Sequence, residues 1–137
     1  TGMSFCGLML LALLGRMAED PAERAGFQQE ASALLEQGCM AHSHIAYYRL
    51  GIDDAIARRD WVKANAHVAA LAEFTLREPL PYTDFLMARG RTLVALAAHP
   101  QDAALKAHLG RLKAQAEALR WPVGWPEWAV AAMTPDV

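Results

Sequence analysis

One cluster of side chains in this sequence could bind a metal ion. Cys39, His42 and His44 lie within six residues of one another, and zinc prefers thiolate and imidazole ligands. Zinc sites usually have four protein ligands, or three and a water molecule, and two histidines two residues apart do not share a helix face. Two interpretations remain open. The cluster is a metal or small-ligand sensor site that includes Tyr48, or it packs the junction between two helices.

The adjacent carboxylates Asp53 and Asp54 are not a general acid and base, because neighbours on a helix point in different directions. Asp53 follows Arg49 by four residues, which predicts an ion pair worth about 0.3–0.5 kcal/mol if exposed. Arg58 and Arg59 are alternative partners for this acidic pair. The sequence also has no Gly-rich phosphate loop and no nucleophile elbow. We therefore expect no catalytic residue, no cofactor and no enzymatic activity in this chain.

Three arginines could form a site for an acidic partner. Arg77, Arg89 and Arg91 either gather around an anion, as helical repeats do with acidic tails, or remain solvated on helix surfaces.

A tryptophan-rich connector, WPVGWPEW, spans residues 121–128. It could line an aromatic groove for a peptide, or fold back over the last helices as a cap. We favour a capping segment over residues 121–137. The candidate partner-binding residues are Tyr48, Arg49, Arg89, Arg91 and Trp125.

Helices are the elements that position these side chains. Alanine and leucine make up much of the 54% apolar content, which favours helix over strand. Asp20, Asp60 and Asp102 each precede a helical pattern as an N-cap, and they lie 40 and 42 residues apart. Tetratricopeptide repeats use ~34 residues and related helical repeats ~40–47. The pattern predicts one all-α domain that covers residues 1–137, with about six helices plus a short C-terminal helix. The helices are expected to form antiparallel hairpins that stack as a degenerate tetratricopeptide-like right-handed superhelix.

The predicted helices cover roughly residues 4–18, 21–37, 44–58, 61–77, 84–98 and 102–120, with a last helix at 126–133. Ser4 and Thr83 are predicted N-caps, and Gly38 a C-terminal stop. Gly51 and Gly90 are expected where a partner helix approaches closely.

The first helix is apolar almost throughout residues 5–14. No basic segment precedes it, as a signal peptide would require. The run is also too short for a membrane span, which needs ~20 apolar residues. We therefore expect a helix buried on several sides, in a fragment of a longer protein, with a homodimer through this helix as an alternative.

The net charge and the cysteines indicate the kind of partner and the cellular compartment. A net charge of -2 offers no electrostatic footprint for nucleic acid. The two cysteines, Cys6 and Cys39, do not form a disulfide framework, which predicts a reducing, cytoplasmic compartment.

Several strings resemble a known family: residues 38–49 (GCMAHSHIAYYR), 59–61 (RDW), 78–85 (EPLPYTDF) and 88–91 (ARGR). Together they resemble the C-terminal tetratricopeptide-like region of bacterial class III adenylate/guanylate cyclase–ATPase signalling proteins. The resemblance implies a regulatory module that binds a protein, a peptide or other domains of the same chain. The family's metal-binding aspartates and phosphate loop would lie upstream of this region, so no catalytic residue carries over.

Overall fold

A computed structural model describes residues 3–38 and 41–134, with side chains for 7–38 and 43–134. Over these residues the chain is all-α, with no strand, as predicted. The helices are α1 (Met3–Met17), α2 (Pro21–Gln37), α3 (Ala41–Ala57), α4 (Trp61–Phe74), α5 (Pro81–Ala98), α6 (Ala103–Ala118) and α7 (Glu127–Met133).

The three aspartates that were predicted as N-caps begin their helices. Asp20 accepts hydrogen bonds from the Ala22 and Glu23 N–H groups, both at 3.3 Å. Asp60 accepts from the Lys63 N–H at 3.0 Å, and Asp102 caps α6 in the same way. A capping side chain satisfies backbone donors that the first turn leaves without a partner.

At two of the helix boundaries that differ from the prediction, a threonine hydroxyl donates to a backbone carbonyl. α4 ends at Phe74, three residues early, where the Thr75 hydroxyl donates to the Leu71 carbonyl at 2.9 Å. α5 begins at Pro81, so the predicted cap Thr83 lies inside its first turn, and its hydroxyl donates to the Leu80 carbonyl. Proline is favoured at the first helical position, where its missing N–H costs nothing.

The predicted Ser4 cap is also wrong, since α1 begins at Met3, and α3 begins at Ala41 rather than after Ser43.

The helices pack as three successive hairpins, α1 with α2, α3 with α4 and α5 with α6. The first helix of each hairpin also contacts the first helix of the next hairpin, α1 with α3 and α3 with α5. Most buried side chains belong to one core on α3 to α7, and a smaller cluster joins α1 and α2. Within the described ranges, no helix combines the length and the apolar character needed to cross a membrane.

Two glycines allow the close approach that the sequence predicts. A Cβ on Gly51 would lie 2.8 Å from the His67 ring, and a Cβ on Gly90 would lie 2.8 Å from Val68 Cγ2. Real Cβ contacts essentially never reach this distance. The α3–α4 and α4–α5 contacts therefore depend on these two glycines.

Candidate functional site

The predicted metal cluster lies largely outside the described part of the chain. Cys39 is not among the described residues, and the side chain of His42 is not described. The His44 ring stacks on Phe74, with centroids 4.4 Å apart and planes 7° from parallel. Among the described residues, no group of three or more His, Cys, Asp or Glu side chains could hold a metal ion.

Arg89, a predicted partner-binding residue, is buried within the fold. Its Nη1 donates to Asp53 Oδ1 at 2.7 Å, and its Nη2 donates to the Gly124 carbonyl. The guanidinium carbon also lies 5.2 Å from the centroid of the Trp125 ring, within cation–π distance. Arg89 therefore joins α3, α5 and the tryptophan-rich connector. The predicted Arg49–Asp53 ion pair is wrong, because Asp53 pairs across helices instead.

Arg49 makes a second attachment to the same connector. Its Nη1 lies 3.4 Å from both Tyr82 Oη and the Pro122 carbonyl, at the long end of hydrogen-bond distances. The Trp121 ring packs against Tyr82 and Phe85, with centroids 5.3 and 5.0 Å apart. The connector thus lies on α5 and is held by two arginines and by ring contacts.

The remaining predicted residues do not form one site with Arg89. Tyr48 is half-buried among rings, edge-on to Tyr47 and tilted against Phe74. Arg91 and Arg77 are exposed, whereas Arg89 is 3% exposed, so the three arginines do not gather around an anion. Of the alternative partners predicted for the acidic pair, Arg58 forms an ion pair with Asp54 at 2.9 Å.

One face of α1, here called the α1 face, exposes several large apolar side chains. Leu8 and Leu11 point into the α1–α2 cluster and are 2% and 5% exposed. The α1 face consists of side chains that are 36% to 77% exposed: Met9, Leu10, Leu13, Leu14 and Met17. Arg16 is the one charged residue in this helix.

A small cleft of about 60 Å³ lies between the first two hairpins. His67 lines it together with Tyr47, and the Lys63 ammonium donates to Gln28 Oε1 at 2.9 Å. Burial lowers the pKa of His67, and the positive charge of Lys63 lowers it further, against smaller opposing effects of the nearby aspartates. The ring is therefore neutral near pH 7.

A larger cavity of about 320 Å³, here called the indole cavity, lies where α4, α5 and α7 meet. Trp61 and Trp128 line it, in an edge-to-face arrangement with centroids 6.2 Å apart. Leu96 is the buried residue of the lining, and Arg59 contributes the positive charge.

The sequence did not predict the cleft or the cavity as a site, although it did predict close helix packing at Gly51. Each space is formed by helices distant in sequence, and the signals present in the sequence were local. Comparisons of the chain with protein-family models, with curated proteins and with solved structures give no match.

Proposed function

We propose that this chain is a non-catalytic helical-repeat module that binds a protein partner through the α1 face. The observation that carries the proposal is the exposure of five large apolar side chains on this one helix. Proteins that remain monomeric rarely expose contiguous apolar patches of this kind, and such patches often mark surfaces for other proteins.

The spacing of the α1 face favours a helical partner. Leu10, Leu13, Leu14 and Met17 follow the i, i+3, i+4, i+7 pattern with which one helix packs against another. The face contains no charged side chain, so its partner is an apolar helix face: a second copy of α1, another domain of the same chain, or a separate protein.

The sequence in which successive helices contact one another supports a tetratricopeptide-like arrangement as part of this proposal. Each hairpin packs within itself, and the first helix of each contacts the first helix of the next, as in stacked helical repeats. By the resemblance of residues 38–91, we place the module in a bacterial, cytoplasmic nucleotide-signalling protein.

Light scattering and peptide binding test the proposal. We expect the unmodified chain to self-associate as its concentration rises, or to bind a labelled amphipathic peptide with leucines at i, i+3, i+4 and i+7. The double variant Leu10→Glu/Leu13→Glu should weaken this association by at least about tenfold, because charges would be buried at an apolar interface.

Val62→Glu is the matched control, since Val62 is 83% exposed on α4, outside the α1 face. Circular dichroism should show that both variants keep their helical content. The proposal would be contradicted if the chain stayed monomeric at every concentration and did not bind the peptide. Equal weakening by the control would contradict it too.

A further inference from the structure

The indole cavity has the size and lining of a small-molecule site. Its volume of about 320 Å³ falls at the lower end of the ~300–1,000 Å³ typical of ligand pockets. Two indole rings at 81° to one another provide apolar surface, and the small side chains Ala97 and Ala132 leave the space between the helices open. The cavity therefore suits a small, flat apolar group.

Arg59 supplies the polar element of this cavity. It occupies the left-handed region, with φ at 57°, just after the end of α3. The Asp60 N–H donates to the Ala55 carbonyl at 2.8 Å, and the Arg59 N–H to the Ile56 carbonyl at 3.0 Å. This is the helix ending at which glycine is usual, and a side chain there costs conformational energy. From this helix ending Arg59 lines the cavity.

The charge of Arg59 is available to a ligand. In the described part of the chain, no carboxylate lies within ion-pair distance of it. The neighbouring Asp60 accepts a hydrogen bond from the Lys63 N–H as the cap of α4. A guanidinium binds a carboxylate through two parallel hydrogen bonds.

We propose that the indole cavity binds a small carboxylic acid with a flat apolar body, such as an aryl-substituted propionate. The apolar body lies against Trp61 and Trp128, and the carboxylate pairs with Arg59 at the edge. This site shares no residue with the α1 face, so the proposal does not depend on the one made above.

The four tryptophans of the chain provide an internal control for a test by NMR. In a nitrogen-15 spectrum each indole N–H gives its own signal. Titration with 3-phenylpropionate should shift the signals of Trp61 and Trp128 in a saturable way. The signals of Trp121 and Trp125 should stay in place, because these rings pack on Phe85 instead.

Two comparisons measure how much the pairing of the carboxylate with Arg59 contributes to binding. The neutral analogue 3-phenylpropionamide should bind about tenfold more weakly, as should the acid to Arg59→Gln, because each lacks one partner of a charge-assisted pair. Arg120→Gln is the matched control. Arg120 is also exposed and left-handed, with φ at 55°, but it does not line the cavity.

Ala132→Leu tests the cavity itself, since the larger side chain should fill it and remove the saturable shifts. The proposal is overturned if the acid produces no saturable shift of Trp61 and Trp128 up to about 10 mM. It is also overturned if the acid and the amide bind equally well, or if Arg59→Gln binds as tightly as Arg120→Gln.

Discussion

Replacing Gly90 by alanine should destabilise the protein, although alanine is the better helix former. Gly90 lies within α5 and is buried against α3 and α4. The added Cβ would lie 2.8 Å from Val68 Cγ2 and 3.3 Å from Ile52 Cγ2. Both neighbours are β-branched and 2% exposed, so neither can rotate away into solvent. The helices must therefore separate slightly, or a side chain must leave its preferred rotamer.

Two opposing effects set the size of the change. Inserting a methyl group into a filled core typically costs about 1–3 kcal/mol. Replacing glycine by alanine within a helix returns about 0.5–1 kcal/mol. We expect a net loss of about 1 kcal/mol in the free energy of unfolding, which corresponds to a decrease in melting temperature of about 3–5 °C for a chain of this length.

Gly110 offers a matched control on α6, because a Cβ there would meet no atom within 4 Å. Gly110→Ala should therefore stabilise the protein by about 0.5–1 kcal/mol, the opposite sign. Urea unfolding followed by circular dichroism measures both variants. Adding Val68→Ala to Gly90→Ala should cost less than the sum of the single changes, since it removes the nearest atom. If Gly90→Ala stabilises the protein as Gly110→Ala does, the close helix approach inferred here is wrong.

Two further changes test the buried polar groups. Acidification should destabilise the fold, because burial lowers the pKa of His67 below its ordinary 6.5. The unfolded chain then binds the proton more readily as the pH falls through that value. His67→Gln should flatten this dependence between about pH 7.5 and 5.5, while His99→Gln, on an exposed residue, should not. Arg89→Met should cost about 3–5 kcal/mol in urea unfolding, because it leaves a mostly buried carboxylate without its partner. The exposed Arg91→Met should change stability by less than about 0.5 kcal/mol, and equal losses would refute the assignment.

The features that sequence predicted well are those decided within a few residues. Asp20, Asp60 and Asp102 cap helices because an aspartate oxygen can reach the N–H groups two or three residues on. Thr83 shows where this reasoning fails. Its type suits a cap, but Pro81 begins the helix first, and the threonine hydroxyl bonds back to a carbonyl instead.

The partner of Asp53 shows why the site was harder to predict than the helices. Arg49 has the favourable spacing of four residues, yet an exposed pair at that spacing is worth only about 0.3–0.5 kcal/mol. Packing brings Arg89, from 36 residues away, to 2.7 Å, where the Gly124 carbonyl and the Trp125 ring also contact it. An ion pair that is shielded from water is stronger than an exposed pair between neighbouring residues of one helix. The spacing along the sequence does not indicate which arginine will be shielded.

The same argument applies to Arg89 as a predicted partner-binding residue, because residue type alone does not show whether a guanidinium is buried or exposed. Arg89 and Arg59 are both arginines near an aromatic side chain, and the sequence gives no measure of which has its donors occupied. Arg89 donates to the connector and to Asp53. Arg59 lines the indole cavity, and no ion pair to its guanidinium is present in the described part of the chain. The three-dimensional placement of the donors, rather than the motif, therefore separates the buried Arg89 from the exposed Arg59.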